Sequence, residues 1–153
     1  KAHGLRRVRR SRLGHMESRK LAQLCRTLAE NRKAEDVVIL DVRKLSSVTD
    51  YFVIATGTSE PHLRAIESEV VGRLAEDESI RPASTEGTAQ GSWLVMDFFD
   101  VIVHVMRKET REKYDLEGLW GDAPRIRATR KKSIVGVGGT EVTATEESDE
   151  DED

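Results

Sequence analysis

The chain has 153 residues, with 25 Lys/Arg against 28 Asp/Glu, a formal net charge of −3 and one cysteine. That length gives one domain with a real core, and a lone cysteine excludes an internal disulfide and points to a reducing compartment, the cytoplasm. No apolar run approaches the roughly 20 residues of a membrane helix, so no membrane partner is expected.

The small net charge hides its layout. Residues 1–20 hold eight basic side chains and one acid, and residues 21–124 hold twelve and nineteen. Residues 125–132 (RIRATRKK) hold five basic side chains, and residues 133–153 hold eight acids and no Lys or Arg. An acidic body is a poor ligand for nucleic acid, whose affinity comes largely from neutralised phosphates. It suits a basic protein, where complementary charge raises on-rate and specificity.

In chain order, residues 1–17 read as a disordered basic arm. The arm lacks an apolar centre and so is no secretory signal; its arginines leave an organelle transit peptide as the lesser alternative to a cytoplasmic chain. Met16 is an alternative start of translation. From Ser18, a predicted cap, Leu21, Leu24, Cys25 and Leu28 recur on one helical stripe, and Cys25 reads as a small core hydrophobe. Val37 to Val42 and Tyr51 to Thr56 read as strands buried on two faces. Ser59 predicts a helix cap, with Glu60 and Pro61 in the first turn and Leu63, Ile66, Val70 and Leu74 on one face to about Glu76.

A short edge strand is expected near Ala83–Thr85, then a hairpin of Trp93–Phe98 and Val101–Met106, then a short helix over Lys108–Asp115. Beyond Pro124 no packed structure is expected, and the Gly-rich acidic stretch 133–153 predicts disorder. The order predicts a single α/β domain over 18–124, a mixed β-sheet flanked by helices, followed by a basic patch and disordered acidic tail over 125–153.

The carboxylates Asp97 and Asp100 stand out. If Phe98 and Phe99 form a two-residue turn, the two acids face each other across the hairpin mouth, which is unfavourable without a reason. Either they bond turn amides, or they grip Lys or Arg of a partner, or they form a metal or catalytic pair. Phe98 and Phe99 are unusual turn residues, since such turns favour Gly or Asn. His104 reads as a satisfied, half-buried strand residue. No nucleophile has a partner acid and base placed beside it, and no metal site is expected from the histidine spacing. Gly57-Thr58-Ser59 could receive a phosphate at a helix start, but without a Walker lysine or full glycine fingerprint a simple cap fits better. Tyr114, Leu116, Leu119, Trp120 and Trp93 close a core or anchor an interface.

Three blocks together resemble the ribosomal silencing factor (Iojap) family: Asp41-Val42 with SSVTDYFVIATGTSEPHLRAI; Glu86-Gly87 through Gly91-Ser92-Trp93 into DFFDVIVHV; and Arg111, Tyr114, Leu116-Glu117, Leu119-Trp120 and Asp122. The resemblance spans roughly Ser18 to Asp122. It implies a nucleotidyltransferase-like fold and a translational repressor with no cofactor. Such a repressor binds the large ribosomal subunit through large-subunit ribosomal protein fourteen and blocks joining of the small subunit. Relatives in organelles imply a role in large-subunit assembly instead, and the fold leaves a nucleotidyltransferase-like enzyme as the other alternative. Metal-assisted transfer would lack its carboxylates, because Asp97 and Asp100 are too distant from Gly57 and wrongly spaced. The family often has Gly in the Asp-x-x-Asp turn where this chain has Phe99. The expected partner-binding residues are Glu86, Trp93, Asp97, Phe98, Phe99, Asp100, Tyr114 and Trp120. A peripheral rRNA contact through Arg125–Lys132 and a homodimer stay open.

Overall fold

In the computed structural model, residues 16–128 are described in full and residues 130–135 and 141–146 by their backbone. The expected arm falls almost wholly outside the described residues, as do residues 136–140 and 147–153 of the expected tail. The first helix, α1 (Ser18–Asn31), buries Leu21, Cys25 and Leu28 of the predicted stripe together with Ala22 and Ala29, while Leu24 of that stripe is only partly buried. Its cap differs from expectation: Glu17 occupies the N-cap, and Ser18 is the first helical residue. The Ser18 hydroxyl instead donates to Asp50 Oδ2 at 3.0 Å, tying the helix start to the loop before the second strand.

Strands β1 (Glu35–Asp41) and β2 (Tyr51–Thr56) pair antiparallel, with a bulge between Glu35 and Val38. The predicted Ser59 cap forms, its hydroxyl accepting from the His62 amide at 3.2 Å. Helix α2 (Glu60–Glu78) then buries Leu63, Ile66, Val70 and Leu74. It runs two residues past the expected Glu76 and ends where Ser79 turns left-handed (φ 58°).

Strand β3 (Ser84–Thr88) forms one edge of the sheet, followed by β4 (Trp93–Asp97) and β5 (Val101–Met106). β5 returns to lie parallel to β2, with Tyr51 opposite Val101 and Thr56 opposite Met106. Two short helices follow, α3 (Lys108–Tyr114) and α4 (Leu116–Leu119), and β6 (Arg125–Ile126) closes the far edge. The order across the sheet is β3-β4-β5-β2-β1-β6, mixed parallel and antiparallel, as the α/β expectation required.

Residues opposite one another in a register share a face of the sheet. One face, carrying Ile39, Val53, Ala55, Leu94, Met96, Val101, Val103 and Val105, packs under α1 and α2 as the main core. The other carries Leu40, Ile54 and Met106, which are buried with Val42 and Ala123 beneath Val38, Phe52, Trp93, Leu116 and Trp120, themselves only partly buried.

The expectation of no packed structure after Pro124 needs correction. Ile126 is 3 % exposed, and β6 pairs with β1 through Ile39 and Leu40. Side chains of α1 fasten it: Arg26 donates to the Val37 carbonyl at 2.8 Å and to the Ile126 carbonyl at 3.4 Å, and Gln23 donates to the Arg127 carbonyl at 2.9 Å. Two residues are too few to show strand periodicity, so only these distant partners reveal the strand. Strands β7 (Arg130–Val135) and β8 (Glu141–Glu146) pair antiparallel as a separate two-stranded sheet, where disorder was expected over 133–153.

Candidate functional site: an aromatic sheet face with acidic neighbours

Alternation along β2, β4 and β5 places Phe52, Trp93 and His104 on the partly covered face, and their rings meet. Trp93 donates from Nε1 to His104 Nδ1 at 3.1 Å. Ring centroids are 4.9 Å apart for Tyr114–Trp93, 5.9 Å for Trp93–His104, 5.4 Å for His104–Phe52 and 5.3 Å for Phe52–Trp120. Five rings therefore run without a break across β4, β5 and β2, ending on α3 and just past α4. Such tilted and edge-on pairs add stability beyond area burial. Burial lowers the His104 pKa to about 4, so the imidazole is neutral and serves as an acceptor. His104 is the satisfied strand residue expected, though it is buried rather than half-buried.

The exposed end of this row is the α3–α4 corner, where Tyr114 is 51 % and Leu119 73 % exposed. Arg111 holds the corner to the sheet. Its guanidinium, buried, donates to both Glu117 oxygens at 3.0 and 2.8 Å and to Thr56 Oγ1 at 2.8 Å. Those bonds keep the Glu117 carboxyl below the usual carboxylate range. Asp115 adopts a left-handed conformation (φ 45°) between the helices, and its Oδ1 accepts from the Gly118 amide at 3.1 Å. The corner is thus a fixed platform, on which Tyr114 and Leu119 are exposed while Leu116 and Trp120 pack on the sheet.

Register also assigns the acids. Glu86 lies opposite Val95, and Val95 opposite His104, so Glu86 is on the aromatic face, on the edge strand. Asp97 lies opposite Ile102, on the same face and half-buried. It does not face Asp100, contrary to the expected two-residue turn at Phe98-Phe99. The pairing continues one residue further, with Phe98 N donating to the Val101 carbonyl at 2.8 Å, so Phe99 and Asp100 make the turn. Asp97 Oδ1 accepts from the Phe99 amide at 2.7 Å, the turn-bonding role weighed from sequence. Asp100 uses its backbone carbonyl to take the amides of Asp50 and Tyr51.

Phe98 is a correction. It is 5 % exposed and joins the core under the helices, because the alternation that puts Asp97 outward turns Phe98 inward beside Met96 and Val101. It presents no surface to a partner. Phe99 is 46 % exposed at the turn. Of the eight residues expected at the interface, Glu86, Trp93, Asp97, Tyr114 and Trp120 therefore belong to one face or its corner. Phe99 and Asp100 lie at the hairpin end, and Phe98 is internal. Leu119, Phe52 and the Arg111–Glu117 pair complete the site. Phe52 could have been read from its alternation with the buried Tyr51, and Arg111 from its place in the third motif block.

The alternative sites are not assembled. In Gly57-Thr58-Ser59 the Thr58 amide donates to His62 Nδ1 at 2.8 Å and Ser59 Oγ accepts from the His62 amide, which is the capping arrangement. Gly57 follows the end of β2, whereas Asp97 and Asp100 sit at the opposite end of the parallel β2–β5 pair. Cys25 is fully buried and its pKa is pushed up to about 12, which makes it inert.

A six-stranded mixed sheet under two helices, with a second face roofed by half-buried rings rather than by long helices, defines a compact class of α/β domain. Within that class, the family model described as "Ribosomal silencing factor during starvation" matches residues 15–153, beyond the Ser18 to Asp122 span of the motif blocks. The ribosomal silencing factor of Halalkalibacterium halodurans is 39 % identical over 111 residues, covering 72 % of this chain and 94 % of that one. A mouse protein named for mitochondrial assembly of the ribosomal large subunit is 36 % identical over 96 residues, covering 61 % of this chain and 42 % of its own. A crystal structure from Chromobacterium violaceum superposes with a TM-score of 0.66 at 32 % identity, covering 80 % of this chain and 97 % of the other. The chain belongs to the ribosomal silencing factor family.

Proposed function

We propose that this chain is a translational repressor that binds the large ribosomal subunit through large-subunit ribosomal protein fourteen and keeps the small subunit from joining. The observation that carries this reading is the five-ring row from Tyr114 to Trp120, with Tyr114 and the neighbouring Leu119 exposed, on a rigid corner of an acidic body. Exposed aromatic and aliphatic anchors on a fixed scaffold favour protein–protein contact. Glu86 and Asp97 on the same face supply charge complementary to a ribosomal protein. The action is steric, with no bond made or broken, so no enzymatic turnover is required.

Sedimentation of the chain with purified subunits tests this. Co-migration with the large subunit alone, together with fewer joined ribosomes when both subunits are present, is the expected result. Binding to neither subunit overturns it. A role in large-subunit assembly is the second reading, favoured by the name of the mouse relative. It predicts that depletion lowers the amount of large subunit made, beyond any change in the joined fraction. The place of action follows the ribosome: the cytoplasm, or the organelle interior for an organelle-targeted chain.

A further inference from the structure

The α3–α4 corner meets the sheet in two ways. Leu116 and Trp120 pack against the buried cluster of Leu40, Ile54 and Met106. Towards β1, in contrast, a cavity of about 500 Å³ opens between the corner and the strands, lined in part by Val37, Val38, Thr56, Arg111, Glu117 and Arg125. The Arg111 guanidinium bridges the corner to the sheet at this cavity. Its Nη1 donates to Thr56 Oγ1 at 2.8 Å, while Nε and Nη2 donate to the two Glu117 oxygens at 3.0 and 2.8 Å. One planar group therefore ties α3, α4 and the end of β2 together. Thr56 is a firm attachment point, buried and in register with Met106 of β5.

The backbone carries that hold to the exposed side chains. Asp115 N donates to the Arg111 carbonyl at 2.9 Å, and the Asp115 carbonyl accepts from the amides of Gly118 and Leu119 at 3.1 and 3.0 Å. Tyr114 and Leu119 thus ride on the unit that the guanidinium fixes. A buried Arg–Glu pair is a weak source of stability, because desolvation offsets much of the Coulombic gain. It is a strong source of direction, since the guanidinium fork fixes both the position and the plane of its carboxylate. Anchors fixed before contact lower the ordering cost of binding.

We propose that Arg111 and Thr56 are positioning residues for the partner contact, holding Tyr114 and Leu119 in the arrangement that the large-subunit protein meets. The assignment rests on the function proposed above. At 9 % and 5 % exposed, Arg111 and Thr56 are too buried to form the contact surface themselves. Their effect on affinity passes through the corner, so it must depend on the anchors being present.

A double-mutant cycle on the full-length chain tests this dependence. Thr56→Val removes the acceptor and keeps the side-chain shape, and Thr56→Ser restores the hydroxyl. Thr56→Val is made both in the unsubstituted chain and in Leu119→Ala, and affinity for purified large subunits is measured well below the Tm of each variant. Thr56→Val is expected to weaken binding by about tenfold with Leu119 present and by only about threefold in Leu119→Ala. Thr56→Ser is expected to restore the affinity. If Thr56→Val does not fold, Arg111→Lys, which keeps the charge but lacks the fork, takes its place in the cycle.

Equal losses in the two backgrounds, or no loss in the first, overturn the positioning role and leave the functional reading intact. Thr56→Ser binding as weakly as Thr56→Val also overturns it, since the hydroxyl would not be what matters. If the unsubstituted chain fails to bind large subunits, the functional reading falls, and the positioning role falls with it.

Discussion

His104 joins stability to pH at a single residue. Its imidazole is nearly buried in the ring row, accepts from Trp93 Nε1, and has a pKa lowered by burial to about 4. The unfolded chain binds this proton at the ordinary value near 6.5. As pH falls below that value the unfolded state gains the proton first, so stability present above about pH 6.5 is lost progressively down to about pH 4. The loss attributable to this residue is of order 3 kcal/mol. His104→Gln, which keeps a polar acceptor but does not titrate, should flatten the pH dependence of urea unfolding between pH 7 and pH 4. A profile unchanged by the substitution would place the acid sensitivity elsewhere.

Asp97 allows a second separation at the same scale. Asp97→Asn keeps the acceptor for the Phe99 amide and removes only the charge, whereas Asp97→Ala removes both. The alanine variant should cost about 1 kcal/mol of stability, and the asparagine variant almost none. Both should weaken large-subunit binding to a similar extent if charge is what the partner reads. Binding preserved in Asp97→Asn but lost in Asp97→Ala would make Asp97 purely a turn residue.

Glycines divide the elements into those that tolerate a side chain and those that do not. Gly72 lies within α2, and an added Cβ meets nothing within 4 Å, so Gly72→Ala should stabilise by about 0.5–1 kcal/mol through helix propensity alone. Gly87 in β3 has φ +84°, and a Cβ there would lie 2.1 Å from the Trp93 carbonyl oxygen, so Gly87→Ala should pry the edge strand from β4. Thermal melts of the pair should move in opposite directions; a shared direction would refute the backbone geometry.

The two cases also show what was legible. Helical periodicity specified α1 and the buried face of α2, and short apolar, β-branched runs specified β2 and both hairpin strands. The strand β6 and the attachment of the corner platform depend on partners distant in sequence, the reach of Arg26 to Ile126 and of Arg111 to Thr56. No local pattern encodes such pairings. The turn at Phe99-Asp100 follows instead from carrying the β4 alternation one residue further, which turns Phe98 inward. The aromatic residues were recognisable as a set, but their connection into one row required the β2–β5 register.

Across the whole molecule, charge is partitioned so that salt would distinguish contact with a basic protein from contact with RNA. Residues 21–124 carry twelve basic and nineteen acidic side chains, while residues 125–132 carry five basic side chains and no acid. The acidic body should be steered towards a basic protein, an effect on association rate that weakens as salt screens it. If the basic segment meets phosphates, each neutralised group adds about 0.9 to the slope of log affinity against log salt.

Neutralising Arg127, Arg130, Lys131 and Lys132 to glutamine should therefore leave binding to the isolated ribosomal protein unchanged at every salt concentration. The same variant should reduce the salt slope on intact large subunits by up to about 3–4 if the segment lies along rRNA. Arg125 is retained because it approaches the Glu117 carboxylate at 4.0 Å, and its loss would perturb the corner. An unchanged slope on intact subunits would confine recognition to the protein contact. A changed affinity for the isolated protein would extend the interface past β6, because the four substitutions all lie beyond that strand.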